Sequence, residues 1–234
     1  MMVALRDALF RPVRAGNAFE GTVERLLQAI RLGAVPPGER LPAERDLATR
    51  LGVSRVTLRE AIRSLQDAGY VESRRGRYGG TFVNGELPAA PPGRGGGPPD
   101  LADALTLRSV LETGAAECAA GTALGPGERH DLRARLAECA AADLADYRRK
   151  DSRLHLAIAE STGSASLTAA IADSRSRINE LLDRIPLLPP NLAHSNEQHE
   201  RIITRVLDGD ADGARREMAE HLAGTAALLR GFLS

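Results

Sequence analysis

Between Asn84 and Asp100 the chain reads NGELPAAPPGRGGGPPD, a composition that excludes both helix and ladder strand. Proline fixes φ and lacks a backbone N–H, and glycine brings conformational freedom with no side chain to bury. With no apolar periodicity either, the segment reads as a linker, residues 84–100, between units spanning 1–83 and 101–234. Charge divides at the same place. The chain carries 31 basic and 31 acidic residues, yet residues 1–84 hold 14 arginines against 9 acids, and residues 85–234 hold 17 basic against 22 acidic. A basic unit joined to an acidic one indicates that only the first meets a polyanion.

Aromatic residues make up 3% of the chain and tryptophan is absent, so the core must be aliphatic and rich in Ala and Leu, which favours helices. No stretch of eighteen apolar residues occurs, so no membrane span is expected. Arg6, Asp7 and Arg11 interrupt any apolar run at the start, which argues against a signal peptide. Cys118 and Cys139 alone frame neither a disulfide scaffold nor a zinc cluster and read as small core residues. These features together imply a cytoplasmic protein without a membrane partner.

The first unit shows three helical segments and a hairpin. Asn17 to Glu20 has the form of a capping box, followed by Phe19, Val23, Leu26, Leu27 and Ile30 on one face, and Pro36-Pro37-Gly38 ends the segment. A short helix from about Pro42 to Leu51 is stopped by Gly52, and Ser54 is placed to cap the next, from about Arg55 to Ala68. The tight connection defines a helix-turn-helix. In its second helix Leu58, Ala61, Ile62 and Leu65 face the core, while Arg55, Arg59 and Arg63 recur every four residues on another face. A lone arginine stripe is usually only solvated. This one starts at the helix end that contacts base edges in such motifs. Strand-like runs at Tyr70–Ser73 and Thr81–Val83 flank Arg74-Arg75-Gly76-Arg77-Tyr78-Gly79-Gly80, a basic, glycine-rich wing.

Three segments, Gly38-Glu-Arg-Leu-Pro-Ala-Glu-Arg-Asp-Leu-Ala48, Gly52-Val-Ser-Arg-Val-Thr-Leu-Arg-Glu-Ala61 and Gly79-Gly-Thr-Phe-Val83, resemble the GntR family of bacterial transcription regulators in content, order and spacing. The resemblance implies a DNA-contacting set of Arg45, Ser54, Arg55, Thr57, Arg59, Arg75 and Gly76, with the wing in the minor groove. Arginine suits the task, because its fork matches guanine O6/N7 or a phosphate.

From Leu101 onward no strand-like alternation occurs. Six helices are expected, at about 101–123, 127–144, 146–161, 165–184, 193–208 and 211–231, with short connections that imply an antiparallel bundle. The fold class is therefore mainly α, a winged helix-turn-helix followed by an all-helical bundle. Asp151 and His155, at i and i+4, project from one helix face. His199 and His221 stand 11 residues either side of Asp210, the centre of the turn between the last two helices, which puts them at equal height. Each histidine alone is better read as a hydrogen-bonded core residue. Three inward histidines with an aspartate are harder to dismiss, and imidazole with carboxylate suits Zn, Ni, Mn or Fe(II). His130 has polar neighbours, and His194 points about 140° away from His199, which sets both aside.

Arg108-x-x-x-Glu112 with Ala119-Ala120, Asp151-x-x-x-His155, and His199 continuing to Gly209-Asp210, Ala214, Met218 and His221-Leu222 resemble the FadR-type effector-binding (FCD) domain of many GntR regulators. Ser164 departs from the asparagine frequent there. The resemblance implies a divalent ion (Zn, Ni or Mn-like) on Asp151, His155, His199 and His221, with a small organic acid beside it. Arg108, Arg175 or Arg177 could pair with such an acid, Arg108 being the one carried forward, although surface solvation is the commoner fate of any one of them. The reading that follows is a bacterial, nucleoid-associated homodimer. It binds double-stranded DNA at an inverted-repeat operator as an effector-responsive repressor. A regulator that senses the metal itself is the alternative, and a metal-dependent hydrolytic enzyme is disfavoured because no spare Glu or nucleophile stands at a fixed spacing from the ligands.

Overall fold

The structure, a computed structural model, describes residues 9–13, 18–76, 79–88, 100–185 and 189–233. It divides into two compact units, the division falling within the Pro/Gly-rich stretch.

The first unit contains α1 (Ala18–Arg31), α2 (Glu44–Leu51), α3 (Arg55–Asp67), β1 (Val71–Arg74) and β2 (Gly80–Val83). Gly52 ends α2 in the left-handed region, φ 65°, and its N–H returns to the Ala48 and Thr49 carbonyls. Two residues later Ser54 is extended, and its Oγ accepts from the Thr57 N–H at 3.0 Å, satisfying an otherwise orphaned donor at the start of α3. Leu26, Ile30, Leu47, Leu51, Leu58, Ala61, Ile62 and Leu65 form the core with Val71 and Val83 from the hairpin. On α1, Phe19, Val23 and Leu27 are half-buried, and the Asn17 of the expected capping box lies outside the described residues. The antiparallel hairpin pairs Val71 with Val83 and Arg74 with Gly80. Leu41 N–H donates to Thr81 O and Gly38 N–H to Val83 O, both at 2.8 Å, which pins the wing to the segment before α2. Gly76 supplies the turn at φ 105°, a conformation side chains rarely adopt; Arg77 and Tyr78 lie outside the described residues.

The second unit contains α4 (Leu101–Ala120), α5 (Pro126–Ala140), α6 (Tyr147–Glu160), α7 (Ala165–Leu182), α8 (Pro189–Asp208) and α9 (Ala211–Leu233). The mainly helical class holds, and the two largest differences of extent, four residues each, fall in α5 and α8. Helix α8 begins at Pro189 rather than near residue 193, because proline at the first helical positions forfeits an N–H that has no partner there. Helix α5 ends at Ala140 rather than 144, and Asp143 instead accepts from the Asp146 N–H at 2.8 Å in a turn leading to α6. Asn84 and Asp100, the ends of the expected linker, are tied into structure. Asn84 Nδ2 donates to Gly69 O at 2.8 Å, and Asp100 caps α4 by accepting from Ala102 and Asp103 N–H. Residues 89–99 of that linker lie outside the described residues.

Helix α6 sits at the centre of the bundle. Every residue from Asp151 to Glu160 is buried, so its polar side chains must find partners within the protein. Helix α4 packs against α7 and α9, and its Ala104, Ala115, Ala116 and Ala119 are buried. One apolar cluster, including Ala116, Leu154, Ile158, Ile202, Met218 and Leu222, surrounds the polar residues of α6. A second, including Leu105, Ile178, Leu181 and Leu229, closes another part of the bundle.

Candidate functional site

Burial of Leu58, Ala61, Ile62 and Leu65 against the core turns the opposite face of α3 outward, and Arg55, Arg59 and Arg63 are all exposed there. Thr57 is half-buried, its side chain 2.8 Å from Ser54 Oγ, so both residues are committed to the cap as well as placed at the exposed helix start. Arg45 projects from α2 with its side chain 85% exposed. Arg59 Nε donates to Glu44 Oε2 at 2.8 Å, bringing α2 and α3 together through charge at the same surface. In the wing Arg75 and Gly76 are exposed, whereas Arg74 lies over the Phe82 ring at 4.4 Å and pairs with Glu72. These residues make a basic, donor-rich rim in which Arg45, Arg59 and Arg74 each pair with a neighbouring acid.

In the bundle, four side chains converge. Asp151 and His155 lie one turn apart on α6, His199 comes from α8 and His221 from α9. The α8–α9 turn is built by Asp210, whose Oδ1 accepts from the Gly213 N–H and whose Oδ2 accepts from Arg205; a Cβ at Gly213 would fall 2.1 Å from that Oδ2. His199 Nε2 lies 3.3 Å from His221 Nε2 and 3.3 Å from Asp151 Oδ1, and His155 Nε2 lies 3.6 Å from the same oxygen. One donor atom from each of the four residues falls within 4.8 Å of the others. Donors about 2.0–2.1 Å from a common tetrahedral centre stand about 3.4 Å apart, so this spacing fits a divalent ion.

The far side of each imidazole also has a neighbour. Glu112 Oε2, from α4, abuts His155 Nδ1. Gln198 Oε1 is 3.2 Å from His221 Nδ1, and Cys139 Sγ is 4.0 Å from His199 Nδ1. Around them runs a buried charge network. Arg175, 0% exposed, contacts Asp151 Oδ2, approaches Glu112 Oε1 at 3.6 Å and donates to Ser152 Oγ at 3.2 Å. Arg108, 2% exposed, donates to Glu112 Oε1 at 3.2 Å. Burial alone would raise both acids' pKa values. For Asp151 the Arg175 guanidinium and His155 outweigh it, for Glu112 the facing His155, Arg108 and Arg175, and both stay well below the usual carboxylate range. Burial lowers the pKa of His199 against the pull of Asp151, and lowers that of His221 with help from the neighbouring histidines, so both favour the neutral ligand form.

Arg108 and Arg175 are thus interior rather than solvated, contrary to the surface fate expected for an unplaced arginine; only Arg177, with its side chain 53% exposed, follows that expectation. Cys139 is buried but Cys118 is exposed on α4, which corrects its reading as a core residue. His130 and His194 are both exposed and apart from the cluster. Sequence reasoning assigned no task to Glu112 or Gln198. The first was signalled by its i,i+4 spacing from Arg108, since a charge pair on an otherwise alanine-rich helix must be accounted for; the second had no signal.

A winged helix-turn-helix with an exposed arginine face, in one chain with a helical bundle built around a buried polar centre, defines a DNA-binding regulator with a second, helical unit. Residues 19–83 match the bacterial regulatory proteins of the gntR family, and residues 103–224 match the FCD domain. Two similar proteins come from Escherichia coli (strain K12). The candidate L-lactate dehydrogenase operon regulatory protein is 33% identical over 94% of this chain and 88% of its own length. The Uxu operon transcriptional regulator is 30% identical over 84% of this chain and 80% of its own. Among solved structures, E. coli McbR/YncC shares the fold with a TM-score of 0.56, at 21% identity over 92% of this chain and 97% of that one. The chain belongs to the GntR family and carries an FCD domain; it is a DNA-binding transcription regulator, not an enzyme. No helix among the described residues is long and apolar enough to cross a membrane.

Proposed function

We propose that this regulator is a cytoplasmic homodimeric repressor whose two heads read an inverted-repeat operator, and that a small carboxylate bound beside a divalent ion in the bundle alters its grip on DNA. The ion, Zn, Ni or Mn in kind, is held by Asp151, His155, His199 and His221. The convergence of those four donors in a buried setting carries the reading. An ion there would supply Lewis acidity, and a metal that accepts more than four ligands would take an oxygen donor in addition to these residues. Arg108 is the residue proposed to meet the acid's charge, its guanidinium already aligned by Glu112. On the DNA side Arg45, Ser54, Arg55, Thr57 and Arg59 face the major groove and its phosphates, and Arg75-Gly76 enters the minor groove. Effector binding acts by favouring one of two states of the protein, since equal affinity for both shifts nothing.

Elemental analysis of the purified protein, followed by melting with and without a chelator, tests the metal. At a free ion concentration of about 100 times Kd the bundle gains about 2.7 kcal/mol. Calorimetry with hydroxy acids and dicarboxylic acids, paired with operator gel shifts, tests the effector. A metal-free protein whose melting ignores both ion and chelator overturns the reading.

A further inference from the structure

The four converging donors create a problem that the ion alone does not solve. A neutral imidazole carries one proton, on either nitrogen, and only the tautomer with Nδ1–H presents a lone pair at Nε2. For His155 and His221 the choice is made from outside the cluster. Glu112 places a carboxylate oxygen against His155 Nδ1, and an ionised carboxylate only accepts. Gln198 places its carbonyl Oε1 3.2 Å from His221 Nδ1, and that oxygen likewise only accepts. Both partners are buried, so bulk solvent does not compete for the Nδ1 proton. Glu112 is held in turn by Arg108 Nε at 3.2 Å and faces Arg175 Nη1 at 3.6 Å. His199 lacks such a partner of comparable strength, since its Nδ1 faces a thiol sulfur at 4.0 Å.

Resting on the metal reading above, we infer that Glu112 and Gln198 are positioning residues: they keep the proton of His155 and His221 on Nδ1 and turn both Nε2 lone pairs toward the ion. Neither touches the ion. Helix α4 contributes no ligand, yet through Glu112 it orients one and joins it to the arginine proposed to receive the effector.

The test uses the full chain with Zn(II) as probe, in competition against a chromophoric chelator. Gln198→Met preserves the shape of the side chain and removes the acceptor, and Gln198→Glu preserves the acceptor. Glu112→Gln retains the volume and loses the charge. Outer partners of this kind are typically worth about 10–100-fold in metal affinity. The expected order is wild type and Gln198→Glu tight, Gln198→Met and Glu112→Gln weaker by that factor, with the metal-free melting temperatures of the two Gln198 variants alike. Rescue by Gln198→Glu separates orientation from packing, because a merely structural role would not distinguish an acceptor from a thioether. If Glu112→Gln fails to fold, the Gln198 pair decides. Wild-type zinc affinity retained within twofold in Gln198→Met overturns the inference while leaving the metal site intact. A wild-type chain that takes up no zinc overturns the metal reading and this inference with it.

Discussion

Replacing Arg175 by methionine removes a charge from the interior while nearly conserving volume. The guanidinium is fully buried, contacts Asp151, donates to Ser152 and lies 3.6 Å from Glu112, so its loss strands carboxylate charge with no water to receive it. Breaking a buried pair on one side costs about 3–5 kcal/mol. For a unit of this size each kcal/mol moves the melting temperature by roughly 3–5 °C, which gives a fall of about 9–25 °C in the metal-free protein. Zinc should return part of that loss, since the ion offers Asp151 a second positive partner. Arg177→Met is the control: its side chain is 53% exposed and meets an exposed Asp103 at 3.5 Å, a pairing worth about 0–1 kcal/mol. Scanning calorimetry of both variants with and without chelator measures the difference. A drop of less than about 4 °C for Arg175→Met would refute the claim that its charge is needed in the core.

Acid should weaken the metal-free bundle in two stages. His199 and His221 have folded pKa values below their unfolded ones, so the unfolded chain takes up more protons and stability falls as pH drops through about 6.5; Asp151 and Glu112, also lowered, add a loss only below about pH 4. Melting temperatures recorded from pH 8 to 4 that stay level would contradict this. Arg55→Ala or Arg59→Ala should each cost about 1–3 kcal/mol of operator binding, with Arg75→Ala weakening affinity evenly across sequences, as read in salt-controlled gel shifts; full binding by all three would remove the assigned DNA face. His199→Ala and His221→Ala should bind operator like the effector-free protein yet ignore the effector, losing a coupling of about 1–3 kcal/mol, and calorimetry showing undiminished acid binding would place the pocket elsewhere.

Much of this architecture was legible because local chemistry wrote it. Gly52 and Ser54 bracket the turn before α3 through a left-handed glycine and a hydroxyl cap, both local rules. The approach of His199 and His221 was also readable, since two helices joined at Asp210 bring equal offsets together. The interior fate of Arg108 and Arg175 was not. Sequence spacing cannot reveal that α6 is buried along its length and that the carboxylates of Asp151 and Glu112 draw the two cations inward. Gln198 stayed hidden for a similar reason: an amide beside His199 in the chain serves His221 on the next helix.

The depth of the histidine cluster also sets a clock. His155, His199 and His221 are only 1–2% exposed and hang from three helices, so an ion gripped by all of them would leave mainly when α6, α8 or α9 shifts within the bundle. Exchange then runs at the rate of such openings, the slow end of the protein's motions. An ion so enclosed would stay through many rounds of regulation, like a built-in component. Rapid signalling would then fall to a smaller molecule that binds and leaves while the ion stays in place.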